Sequence, residues 1–334
     1  MAAGTTALAR PLLADRERAF AWANAVLALA FTFGLMVDLW AHNNVRPLFE
    51  TFFTVWHAVL YGSFGIAAAF LAIVAGRAVA GGAPLARALP AGYGLSGIGA
   101  AVFAAGGVLD LTWHTLVGIE AGVDAIVSPS HLVLATGGVL LVSGPLRSSR
   151  DPWAVAVSML STALFALPFL TLFEAPYAQL AGSGQRLDVR KEAEIFGSLT
   201  FALTVLGVTL YALRSVRLPR GALGLVVAAI GAVSATIAWT DLGAARGAML
   251  AAAIAAGVAA ETAYAAIAPD FGRPARLIAF GAALPVALLA PYLATLLLVA
   301  PPWWSAHAVA GSIALPSAAG ALLASLSARS SRSL

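Results

Sequence analysis

A chain in which apolar stretches of about 18 to 23 residues recur from one end to the other has few ways to fold. Some 20 such residues in an α-helix cross a hydrocarbon core about 30 Å thick, and the helix satisfies every backbone polar group internally. Ten stretches meet this description: 20–41, 53–75, 92–114, 129–146, 153–173, 196–213, 221–240, 247–267, 277–299 and 304–326. Composition agrees, because a chain of 334 residues that is 61% hydrophobic and only 10% charged is too apolar for a water-soluble globule. The expectation is an all-α polytopic membrane protein with ten transmembrane helices.

The arginines orient it. Arg10, Arg16, Arg18, Arg77, Arg87, Arg147, Arg150, Arg214, Arg217, Arg220, Arg273, Arg276, Arg329 and Arg332 fall at the same end of these stretches. Positively charged loops stay cytoplasmic, so both termini are expected inside and the helices form five hairpins that turn on the outer side. The pI near 9.8 reflects these short loops. No basic arm or block points to nucleic acid. Lys191 is the only lysine among 19 basic residues, and with the abundant alanine this points to a bacterial plasma (inner) membrane. The first apolar stretch is long enough to span, so it reads as a mature helix and not a cleaved signal.

The expected organisation is a cytoplasmic segment at 1–19, a four-helix unit at 20–146, six further transmembrane helices at 147–326 and a cytoplasmic tail at 327–334. The one long outer connection, 175–194, carries Arg186, Asp188, Arg190, Lys191, Glu192 and Glu194 and reads as a surface loop placed to act as a lid.

An internal repeat gives the four-helix unit its meaning. Asp38-Leu39-Trp40-Ala41-His42 is followed after a turn by His57-Ala58-Val59-Leu60-Tyr61-Gly62. Asp110-Leu111-Thr112-Trp113-His114 is followed by His131-Leu132-Val133-Leu134-Ala135-Thr136-Gly137. Glu50 and Asp124 each lie seven residues before the second histidine. The two hairpins therefore read as a tandem repeat about an axis along the membrane normal, with His307 opening the last helix as a fainter echo.

In Asp-x-x-x-His the two side chains share one helix face and converge on a point. Asp38 with His42, and Asp110 with His114, do so at the outer ends of their helices, and His57 and His131 enter at the same depth from the partner helices. Pro129 is expected to start the helix of His131 with Ser128 as its cap, leaving Asp124 in the turn. Ionisable groups at membrane depth are costly and usually pair or bind ions. Four imidazoles and up to four carboxylates (Asp38, Glu50, Asp110 and Asp124) suit two transition-metal ions. Mixed nitrogen and oxygen ligation fits Cu(II), Fe(II) or Zn(II), and the absence of cysteine removes thiolate chemistry. Glu120 and His307 are possible outer partners that orient the ligands. A hydrogen-bonded Asp and His network, or a structural zinc clamp, would use the same residues.

The motif resembles the metal site in the C subunit of the copper-containing membrane monooxygenases that oxidise methane and ammonia. The resemblance rests on Asp-x-x-x-His followed by a second His, present twice in the first two hairpins. It implies Asp38, His42 and His57 as one metal triad and Asp110, His114 and His131 as the other, and it favours copper over iron or zinc.

Three functions compete. One is an oxidoreductase whose outer metal centre acts on a lipophilic or small apolar substrate, with an electron-donor protein or a second copy as partner. Another is a zinc-dependent lipid hydrolase with Ser128 or Ser130 nearby. The third is a metal transporter or metal-binding scaffold. Glu174 and Asp241 read as outer loop charges, and the Trp residues at positions 40, 56, 113, 239, 303 and 304 as an interfacial aromatic belt. Glu261, deeper in its helix, is either a step in a proton path or a structural acid. Pro168, Pro285, Pro291 and Pro316 are expected to kink their helices and open a cavity.

Overall fold

A computed structural model describes residues 3–45, 51–118, 123–171, 175–178, 187–299 and 304–330. Among these residues the chain is all-helical, without strands. In order, the helices are α1 (Ala3–Asn44), α2 (Val55–Ala80), α3 (Gly94–Leu116), α4 (Val123–Val127), α5 (Pro129–Val142), α6 (Gly144–Ser148) and α7 (Pro152–Thr171). Then follow α8 (Leu187–Leu213), α9 (Ala222–Ile237), α10 (Trp239–Leu242), α11 (Arg246–Ile267), α12 (Pro274–Val299) and α13 (Ala306–Ser330).

Among the described residues, eight helices are long and apolar enough to cross a membrane, against ten expected. Each of the other two, α5 and α9, stops short at a local break. Pro145 has no backbone N–H to offer, and α5 ends at Ser143 before a separate turn, α6, begins. Arg147 on that turn closes the break, donating to the Leu140 carbonyl at 3.0 Å and to Ser96 Oγ at 2.8 Å. Helix α9 ends at Ala238 before the short α10. The stretch expected as an outer loop is helical from Leu187 onward, with Glu194 buried on α8.

Three helix pairs approach closely through reciprocal glycines, the small-residue packing that replaces hydrophobic attraction in lipid. Between α3 and α5, a Cβ on Gly99 would lie 2.6 Å from the Gly137 carbonyl, and one on Gly137 would lie 2.5 Å from the Phe103 nitrogen. Gly224 with Gly257 joins α9 to α11 in the same way, and Gly281 with Gly320 joins α12 to α13. Helix α1 packs on α2, α5, α7 and α9. Below its histidine-bearing end Phe31 meets Phe103 edge-on at 4.8 Å and Phe165 at 5.0 Å, while Phe64 meets Phe103 at 4.6 Å. Each such pair is worth about 0.5–1.5 kcal/mol beyond burial. The cluster pins α1, α2, α3 and α7 beneath the histidine-bearing turns.

Helix α7 starts at a cap readable from sequence. Pro152 occupies its first position, and Asp151 Oδ1 accepts from the backbone N–H groups of Trp153 at 3.1 Å and Ala154 at 3.0 Å. Glu261 resolves as a cap acting across helices. Its Oε1 accepts from Gly221 N–H at 2.7 Å and its Oε2 from Gly224 N–H at 3.0 Å, satisfying the first turn of α9 from a position on α11. Of its two expected roles, the structural one has its partners.

Candidate metal centre

Two groups of three potential ligands form, Asp38/His42/His57 and Asp110/His114/His131, and in each the three ligand atoms lie within 4.8 Å of one another. The last turn of α1 or α3 brings an Asp and a His together, and the first turn of α2 or α5 supplies the second His. Local capping sets the depth of that second His. Thr54 caps α2 by accepting from the His57 N–H at 3.1 Å. Ser128 holds the cap position of α5, with Pro129 just inside, as expected. Its hydroxyl, however, bonds the His131 ring at 2.8 Å and not a backbone N–H.

The distances within the groups set what they could hold. Asp38 Oδ2 lies 3.7 Å from His42 Nε2, and its Oδ1 lies 3.6 Å from His57 Nε2. Asp110 Oδ1 lies 3.4 Å from His114 Nε2 and 3.3 Å from His131 Nε2. Charge-assisted N–H···O bonds run about 2.7–2.9 Å, so all four contacts are too long. Ligands held about 2.0–2.2 Å from a tetrahedral ion stand roughly 3.4 Å apart, which is the observed spacing. Asp38 Oδ1 and Asp110 Oδ1 are buried without a hydrogen-bond partner. Leaving a buried carboxylate oxygen in that state costs about 1–3 kcal/mol or more.

The opposite ring nitrogens identify the tautomers. His57 Nδ1 lies 2.6 Å from the Phe52 carbonyl, His114 Nδ1 lies 3.2 Å from the Gly118 carbonyl, and His131 Nδ1 contacts the Ala125 carbonyl. A carbonyl only accepts, so each Nδ1 donates, and in a neutral imidazole Nε2 then carries a lone pair. In that neutral form, lone pairs on nitrogen face lone pairs on carboxylate oxygen. A cation between them removes that repulsion, and backbone carbonyls that fix the ring tautomer are the usual outer support of metal-bound histidine.

Both groups line one cavity of about 620 Å³. Phe52 stands between them, its ring stacked on His57 at 4.9 Å and 5.9 Å from His114. The remaining wall is mostly apolar and includes Leu35, Met36, Leu60, Leu134, Phe165 and Pro168. Of the prolines expected to open it, Pro168 is in the lining, while Pro285, Pro291 and Pro316 lie inside α12 and α13. The end of α1 is tied down beside His42, since Asn44 donates to the Ile237 carbonyl at 2.7 Å and accepts from Thr240 N–H at 2.8 Å. Ala175 and Ala178, between α7 and α8, also line the cavity. Tyr177 between them is fully buried, with φ of 71° and its hydroxyl donating to the Leu288 carbonyl.

Among the described residues, no other expected site residue joins either group. Asp124 is exposed on α4, a helical turn where a loop was expected, and belongs to neither group. His307 is exposed at the start of α13. Asp241 lines the cavity at α10. Glu50, Glu120, Glu174 and Trp303 lie outside the described residues. Sequence reasoning missed Thr54, Phe52 and Tyr61. Thr54 carried a readable signal, because Thr-x-x-His and Ser-x-x-His both place a helix cap three residues before the histidine.

Fold and site together define a helical chain of membrane-spanning character with two Asp/His/His groups able to hold metal ions. Comparison with family models, curated proteins and solved structures finds no match for this chain.

Proposed function

We propose that the chain is an integral membrane oxidoreductase of the bacterial plasma membrane, with a two-ion metal centre opening to the outer face and a lipophilic or small apolar substrate. The observation that carries this reading is the pair of buried carboxylate oxygens, without hydrogen-bond partners, each facing imidazole Nε2 atoms at tetrahedral spacing. The arginine pattern supports ten spans in five hairpins with both termini cytoplasmic, α5 and α9 crossing as shortened helices. The matching construction of the two groups supports a tandem repeat of the first two hairpins.

Asp38, His42 and His57 would hold one ion and Asp110, His114 and His131 the other. Copper is favoured by the resemblance to the methane and ammonia monooxygenases. Such ions would supply Lewis acidity and, if copper or iron, one-electron chemistry beside the cavity. The chain's own contribution is orientation and exclusion of water. Carbonyls of Phe52, Gly118 and Ala125 set the imidazole tautomers, while Leu35, Met36, Leu60, Leu134 and Phe165 present an apolar wall to a substrate. The hydrolase reading gains nothing from Ser128, whose hydroxyl sits on the Nδ1 side of His131, away from Asp110.

Purified full-length protein is expected to carry copper or iron that cycles between oxidation states on treatment with dithionite and air. Stoichiometric zinc as the sole bound metal would overturn the oxidoreductase reading.

A further inference from the structure

Although the two groups are built alike, one side chain breaks their equivalence. Tyr61, four residues after His57 on α2, reaches across to the other group and donates to Asp110 Oδ2 at 3.2 Å. The corresponding position after His131 is Ala135, which has no hydroxyl to return the contact to Asp38. The carboxylates differ accordingly. Both imidazoles of the second group face the same oxygen, Asp110 Oδ1, while Oδ2 is engaged by the tyrosine. In the first group each imidazole faces a different oxygen of Asp38. Among the four imidazoles His42 is the most open, its side chain 34% exposed against 24% for His131, 11% for His57 and 8% for His114.

On the reading that both groups bind metal, we propose that Tyr61 is a positioning residue that makes the sites unequal: the Asp110 site is coordinatively fixed, and the Asp38 site is the one that accepts an external ligand. A carboxylate held through one oxygen by a tyrosine cannot swing to two-oxygen ligation. The Asp38 carboxylate is free to do so and sits beside the more open imidazole.

Cu(II)-loaded full-length protein tests this by electron paramagnetic resonance, with azide as the external ligand and His57→Ala and His131→Ala separating the two signals. Azide is expected to shift the Asp38-site signal at least tenfold more readily than the Asp110-site signal. Tyr61→Phe, which keeps the ring, is expected to make the Asp110 signal azide-sensitive while leaving the Asp38 signal unchanged. Equal azide response of both sites in the wild type, or an Asp110 signal unaltered by Tyr61→Phe, overturns the assignment. Failure of the wild type to bind Cu(II) at all would instead overturn the metal-site reading beneath it.

Discussion

His57 Nδ1 donates to the carbonyl of Phe52 at 2.6 Å, and this single contact fixes which ring nitrogen faces Asp38. The carbonyl lies five residues upstream, just before the Thr54 cap, so the turn that starts α2 also orients its histidine. His131 repeats the device with Ala125. Groups oriented in this way are preorganised for a cation, and their surroundings give rise to separable expectations.

Glu261 is bound to the first turn of α9 through both oxygens. Glu261→Ala leaves two backbone N–H groups without acceptors and is expected to cost about 1–3 kcal/mol per orphaned group at most. Thermal unfolding of the purified protein should fall by several degrees with metal content unchanged. Loss of metal, or an unaltered midpoint, would contradict a purely structural role.

The close approach of α3 and α5 positions His114 against His131. Gly137→Ala puts a methyl group 2.5 Å from the Phe103 backbone nitrogen, which should force the helices apart at about 1–3 kcal/mol. Metal analysis should show the Asp110 group weakened and the Asp38 group retained. Gly62→Ala is the control, because nothing lies within 4 Å of a Cβ at that position.

Asp151 predicts a pH dependence. Burial alone would raise its carboxyl, but N–H bonds from Ala154 and Trp153, a bond from the Trp22 side chain and the charge of Arg18 at 2.8 Å outweigh it and hold the group below its ordinary value. A depressed folded value means that the stabilisation is present above the unfolded pKa of about 3.9 and is lost as pH falls through the folded value. Arg18 is 68% exposed, so the cap dominates, at about 1 kcal/mol. Asp151→Asn should therefore flatten the fall in the unfolding midpoint below about pH 4. An unchanged acid limb would contradict this.

The site was readable in sequence wherever its geometry is internal to one helix. Asp38 with His42 and Asp110 with His114 follow from a spacing of four residues, and the register of His57 and His131 follows from the repeated motif. Contacts that depend on packing were not readable. Tyr61 reaches Asp110 only because α2 and α3 adjoin, and the partners of Glu261 lie 37 and 40 residues away along the chain. Hydropathy located all ten apolar segments, but could not show that Pro145 and Ala238 end two of them early, because those breaks are local backbone events inside apolar sequence.

Metal content per chain tests the central claim most directly. Elemental analysis of the purified protein should give two transition-metal ions in the wild type, one in His57→Ala, one in His131→Ala and none in the double variant. Wild-type protein devoid of metal after growth and purification with copper, iron and zinc supplied, or bound metal indifferent to both substitutions, would contradict it.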